Sequence, residues 1–101
     1  MERDDGMTSE WQALFALLWE TAARVRGPFE IAEVVPEGAR RLGQTDGTVG
    51  REIRFLLAEL ERLPEGKRYF TVEGNAVVPL PEFRATPPGP DAARDAYPFE
   101  L

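Results

Sequence analysis

Cysteine and histidine are both absent from this chain of 101 residues, and lysine occurs once, at Lys67. Without thiols or imidazoles there is no disulfide framework, no thiol nucleophile and no serine–histidine triad. The same absence removes structural zinc sites of Cys/His type and haem ligation. Long apolar runs are missing too. The most apolar stretch, Trp11 to Val25, is broken by Gln12, Glu20 and Arg24 and is too short and too charged to span a membrane. The acidic Met1–Gly6 segment has no basic n-region ahead of an apolar run, so no secretory leader is expected and a cytoplasmic location is the default.

What is present is ample for one folded unit: 43% of residues are hydrophobic and 10% aromatic. Acids outnumber bases 18 to 12, giving a net charge of −6, which opposes generic polyanion binding at long range. The charge is unevenly spread. Arg3 stands against four acids in Met1–Glu10, whereas Arg40–Arg54 carries four arginines against Asp46 and Glu52. Eleven of the twelve bases are arginine, a skew that says nothing about activity.

The pattern along the chain predicts an α+β fold in three parts: an acidic arm over residues 1–8, a folded domain over 9–80 and a proline-rich extended tail over 81–101. Ser9-Glu10-Trp11-Gln12 reads as a capping box opening a helix that Gly27-Pro28 stops. Its apolar stripe is Trp11, Leu14, Phe15, Leu18, Ala22 and Val25, with Trp19 at the edge. Leu17 falls outside that stripe and is expected at a homodimer contact. Phe29–Val35 reads as a short strand, and Pro36 as the first residue of a short helix ending at Gly43. Gln44-Thr45-Asp46-Gly47 is turn chemistry with a helix cap at Thr45 or Asp46.

From Thr48 to Leu63 the period is helical. Val49, Ile53, Leu56, Leu57, Leu60 and Leu63 gather on one side, and Arg51, Arg54, Phe55, Ala58 and Arg62 on the other. Lys67–Val72 and Ala76–Val78 then form a hairpin about Glu73-Gly74-Asn75. Pro79 and Pro81 are expected to hold the second strand at an edge. The tail, with Pro87, Pro88, Pro90 and Pro98, admits one helical turn in Asp91–Ala96 and ends in Tyr97 and Phe99.

The run Ala39-Arg40-Arg41-Leu42-Gly43-Gln44-Thr45-Asp46-Gly47-Thr48-Val49-Gly50-Arg51-Glu52-Ile53 resembles the two-helix unit of winged helix-turn-helix domains. Arg68-Tyr69-Phe70-Thr71-Val72-Glu73-Gly74-Asn75 resembles their wing, so the likeness covers roughly Ser9 to Leu80. It implies three helices, a short strand and a C-terminal two-stranded wing. It also implies a transcriptional regulator that binds double-stranded DNA through the third helix.

On that reading Gln44, Thr45, Thr48, Arg51 and Arg54 face base edges, with Phe55 near a thymine methyl. Arg40, Arg41, Lys67 and Arg68 serve phosphates, and Asn75 reaches the minor groove or backbone. A different reading is a protein-binding adaptor for a larger complex, such as a polymerase or chromosome-associated assembly. Leu17, Phe55, Arg62, Tyr97 and Phe99 would then be interface residues. The tail aromatics also suit docking in a groove of their own domain, of a sister subunit or of a larger assembly, and the composition equally permits disorder.

Nothing assembles a catalytic site. Asp4-Asp5 lies in the arm, Glu59 and Glu61 lie on an exposed helix, and Gly43, Gly47 and Gly50 lack the Lys-Ser/Thr of a phosphate loop. The expectation is a non-enzymatic protein that needs no cofactor and no metal.

Overall fold

The computed structural model describes the backbone of residues 2–85 and 92–99, and side chains from Ser9 onward within them apart from 85 and 95. The architecture is α+β, mostly helical, with one small antiparallel sheet. In chain order it comprises α1 (Glu2–Val25), β1 (Phe29–Glu30), α2 (Ile31–Leu42), α3 (Asp46–Glu61), β2 (Phe70–Glu73), β3 (Ala76–Pro79), α4 (Pro81–Ala85) and α5 (Ala92–Ala96). None of the described helices is long and apolar enough to cross a membrane.

Helix α1 starts at Glu2 rather than Ser9, so Ser9 lies inside it and caps nothing. An acid-rich opening segment suits the positive end of a helix dipole, which is why residues expected as an arm continue the helix. The buried sector of α1 is wider than a single stripe: Leu14, Phe15, Leu17, Leu18, Trp19, Thr21 and Ala22 are all buried. The cause is position. α1 runs through the middle of the molecule, with α2 and α3 packed against it and α5 along another side. Thr21 satisfies its buried hydroxyl by donating to the Leu17 carbonyl at 2.8 Å. Val25, expected inside, is 42% exposed because the helix has passed the end of the core there.

The strand expected over Phe29–Val35 lasts two residues. Glu30 becomes the N-cap of α2, its side chain accepting from the Glu33 backbone while Glu33 accepts from the Glu30 N–H at 3.1 Å. That capping box starts the helix well before Pro36, which therefore sits inside it. A proline there leaves the Ala32 carbonyl without its helical donor. Both residues are exposed, so that carbonyl need not be satisfied inside the protein. Ile31, Val34 and Gly38, spaced by helical steps, form the buried face. Gly43 ends the helix in the left-handed conformation (φ 66°), which a glycine adopts without strain.

Helix α3 follows its sequence pattern closely. The Thr45 hydroxyl accepts from the Thr48 N–H at 3.2 Å. Val49, Ile53, Leu56, Leu57 and Leu60 are completely buried, and Arg51, Arg54, Phe55, Ala58 and Arg62 all face solvent. The hairpin forms as expected, but the sheet order is β1-β3-β2, so β3 is central and not an edge. Pro79 is tolerated because β1 pairs only with Ala76 and Val77, leaving the Pro79 end with a partner on the β2 side alone.

The described part of the tail is not extended: it holds α4 and, where one helical turn was expected, α5. Phe83 lies against Trp19 at 4.6 Å between ring centroids, Tyr97 against Phe15 at 5.5 Å and Phe99 against Trp11 at 5.4 Å. These join Tyr69 and Phe70 in an edge-to-face cluster that closes the core.

The tightest crossing is at Gly38. A Cβ there would lie 2.8 Å from Val49 Cγ1, 3.3 Å from Leu14 Cδ2 and 3.4 Å from Leu17 Cδ2. Three helices meet on that hydrogen atom, and Val49 is a stiff β-branched side chain with no exposed surface. Gly38→Ala gains about 1 kcal/mol of helix propensity but overpacks a closed junction, for a net loss of about 1–2 kcal/mol. Urea unfolding of the two proteins measures it, with a lowered midpoint and an unchanged m-value expected.

A candidate nucleic-acid interface on the third helix

The exposed stripe runs Gly47, Arg51, Arg54, Phe55 and Ala58 along α3 and on to Arg62, its C-cap. Phe55 is 53% exposed and stands at its middle. Two of the acids of α3 that sequence places nearby, Glu52 and Glu61, are drawn away from it. Glu52 accepts from the Trp11 indole N–H at 2.9 Å, tying α3 to α1. Glu61 turns toward the hairpin, taking the Thr71 hydroxyl and the Val72 N–H. Glu59 meets Arg62 at 3.3 Å. The result is a helix face with three guanidinium groups around one bare aromatic ring.

The other expected DNA contacts are placed differently. Gln44 turns inward: its Nε2 donates to Glu10, and its Oε1 is buried without a partner among the described residues. Thr45 and Thr48 use their hydroxyls on each other and on the helix cap. Arg40 and Arg41 converge on Glu37, and Arg41 also reaches Glu20 at 2.9 Å. Arg68 donates to the Leu63 carbonyl. Arg54 crosses to the hairpin tip, donating to the Asn75 side-chain oxygen and the Gly74 carbonyl. The Asn75 carbonyl in turn accepts from Ile31 N–H at 2.9 Å, so the tip is fixed to α2 and α3 together. The side chains of Arg51 and Lys67 are exposed and make no hydrogen bond or ion pair among the described residues.

Three residues expected at protein contacts are used inside the chain. Leu17 is buried against α2 beside Gly38, because α2 covers the side of α1 that a one-stripe wheel leaves open. Tyr97 and Phe99 pack on α1 with their own core. Sequence reasoning missed Glu10, Glu52 and Glu61 as fasteners. Their only signal was an acid on a flank of an amphipathic helix, which ordinarily marks solvent.

Two surface clefts of about 320 Å³ each accompany the helices. One lies between α1 and α5, lined by Ala13, Ala16, Ala93 and Tyr97. The other lies between α1 and α2, where Arg41 pairs with both Glu20 and Glu37. Neither joins a nucleophile to a base. No group of three or more metal-binding side chains occurs among the described residues. Comparisons with protein-family models, with curated proteins and with solved structures returned no match.

The hydrogen bonds from Arg40 and Arg41 hold the Glu37 carboxyl at about 2, down from its ordinary 4.5. A carboxylate whose folded value lies below its unfolded one contributes fully above about 4.5, and that contribution is lost as pH falls through about 2. The group is exposed, so salt screens the effect. A carbon-detected NMR titration of the Glu37 carboxyl should show the low midpoint, and Glu37→Gln should flatten the acid limb of the stability curve.

The tail makes a sharper test. If Tyr97 and Phe99 are core residues, replacing both with alanine costs about 2–3 kcal/mol and weakens the near-ultraviolet dichroism of Trp11 and its neighbours. A pair reserved for a partner would leave the melting curve unchanged.

Proposed function

We propose that the chain is a winged-helix DNA-binding domain acting as a transcriptional regulator, with α3 as the recognition helix and the β2–β3 hairpin as the wing. The order of helix, strand, helix, helix and hairpin supports this reading. The observation that carries it is the α3 face itself: Arg51, Arg54, Phe55 and Arg62 exposed, with Glu52 and Glu61 engaged elsewhere. A duplex major groove admits one α-helix, offers guanine acceptors to arginine and is lined by phosphates. The protein's part is to bind and position. No reaction, cofactor or metal enters the proposal.

Few cations are free for phosphates, so counterion release is small. Binding to a random-sequence duplex, followed by fluorescence anisotropy, should weaken with salt at a log–log slope of about −3. Arg51→Ala should weaken it about tenfold or more. Lys67→Ala should reduce the salt slope by about one while affecting all sequences alike.

A second reading, an adaptor that docks α3 on a larger protein complex, is favoured by the bare Phe55 ring. It is favoured equally by the neutralisation of Arg40 and Arg41. Interfaces are enriched in arginine and aromatic residues. Absence of any duplex binding at low salt would select it over the DNA reading.

A further inference from the structure

We infer that residues 92–99 are a latch on the third helix. Docked, they hold Trp11 where its indole keeps Glu52 off the Phe55 side of α3, and undocked, they return that carboxylate there. The latch is intramolecular, so it acts on the α3 face whichever partner that face meets.

The link runs through two contacts and one helical step. The Phe99 ring stands edge-on to Trp11, at 5.4 Å between centroids. Phe15 and Trp19 each have rings on several sides, whereas Phe99 is the one aromatic ring on Trp11 among the described residues. The Trp11 Nε1–H donates to Glu52 Oε1 at 2.9 Å in a partly buried bond. Phe55 follows Glu52 by three residues, about 60° round the helix, where side chains are neighbours.

The size of the segment makes this a switch rather than a rigid brace. Isolated helices of under about 12 residues are marginal in water, so the five-residue α5 folds only as it docks. Its hold on the body is apolar: Ala92, Ala93, Ala96, Tyr97 and Phe99 pack on the core, with α5 along α1. The stretch before it, Thr86-Pro87-Pro88-Gly89-Pro90-Asp91, brings no aromatic or large aliphatic side chain as a second anchor. Docked and undocked are therefore two discrete positions, which is what coupling between separated groups requires.

Losing Phe99 frees the Trp11 ring to change rotamer, and the Glu52 bond loses its fixed donor. A carboxylate on a helix flank then turns to water, and the open side next to it is that of Phe55, which is 53% exposed. The exposed Arg51 side chain lies on that side too. Undocking thus brings a counter-charge to Arg51 and makes the Phe55 patch less receptive to an acidic partner.

Heteronuclear NMR on the isotope-labelled full chain reads both ends of the latch. Phe99→Ala should speed exchange of the Trp11 indole proton about tenfold or more, the factor carried by a hydrogen bond to a charged group. The indole proton of Trp19, which packs on Phe83 and Tyr69, should keep its rate. The Phe55 ring signals should move in the same variant, and should stay in place when Phe99→Ala is added to Glu52→Ala. Phe99→Leu, which keeps an apolar group on Trp11, should give smaller changes at both ends. An unmoved Trp11 proton overturns the latch, and so does equal quickening at Trp19, which marks a general loosening of the core. A Phe55 ring that stays put while Trp11 opens overturns it as well, as does a Phe55 response that survives Glu52→Ala.

Discussion

The crossing of three helices at Gly38 sets the geometry of the whole molecule. Leu14 and Leu17 of α1 and Val49 of α3 approach so closely that only a hydrogen atom fits between them. Packing at that distance leaves no slack, since protein interiors are filled to crystal-like density. It locks α2 onto one side of α1 and fixes the angle at which α3 leaves the Thr45 turn. The direction of the exposed arginines follows from that angle. So does the hairpin's place, because its tip is tied to both helices through Asn75.

The candidate interface is made as much by subtraction as by addition. Of the cations expected to serve DNA, several are held by acids or carbonyls within the chain, and Arg54 has become a strut between α3 and the β2–β3 hairpin. Exposed ion pairs of this kind contribute little to stability. They cancel positive charge along α2, while on α3 Arg51 and Arg54 stand against Asp46, Glu52, Glu59 and Glu61.

Legibility from sequence depended on whether a residue's partner was local. α3 was readable nearly residue for residue, because a sixteen-residue helix with one apolar face declares itself by period alone. The Gly43 stop and the hairpin turn at Gly74 were equally local. Errors arose where distant packing decided. Leu17 is buried because α2 covers it, and no periodicity in α1 contains that fact. The Glu30–Glu33 box was in plain view but competed with a proline that signals a helix start, and the box prevailed. Arg54 with Asn75 and Trp11 with Glu52 join residues far apart in the chain, so the side chains lost from the expected DNA set could not be identified beforehand.

The bond from the Val72 N–H to Glu61 has a further meaning for how this protein avoids unwanted company. β2 is the outer strand of the sheet, and an outer strand offers unpaired backbone groups to any extended chain that passes. Here a carboxylate from the neighbouring helix occupies one of those donors and sets a negative charge beside it. An incoming strand would have to displace Glu61 and bury its charge to register against the hairpin. That donor is thereby withheld from an extended chain approaching β2.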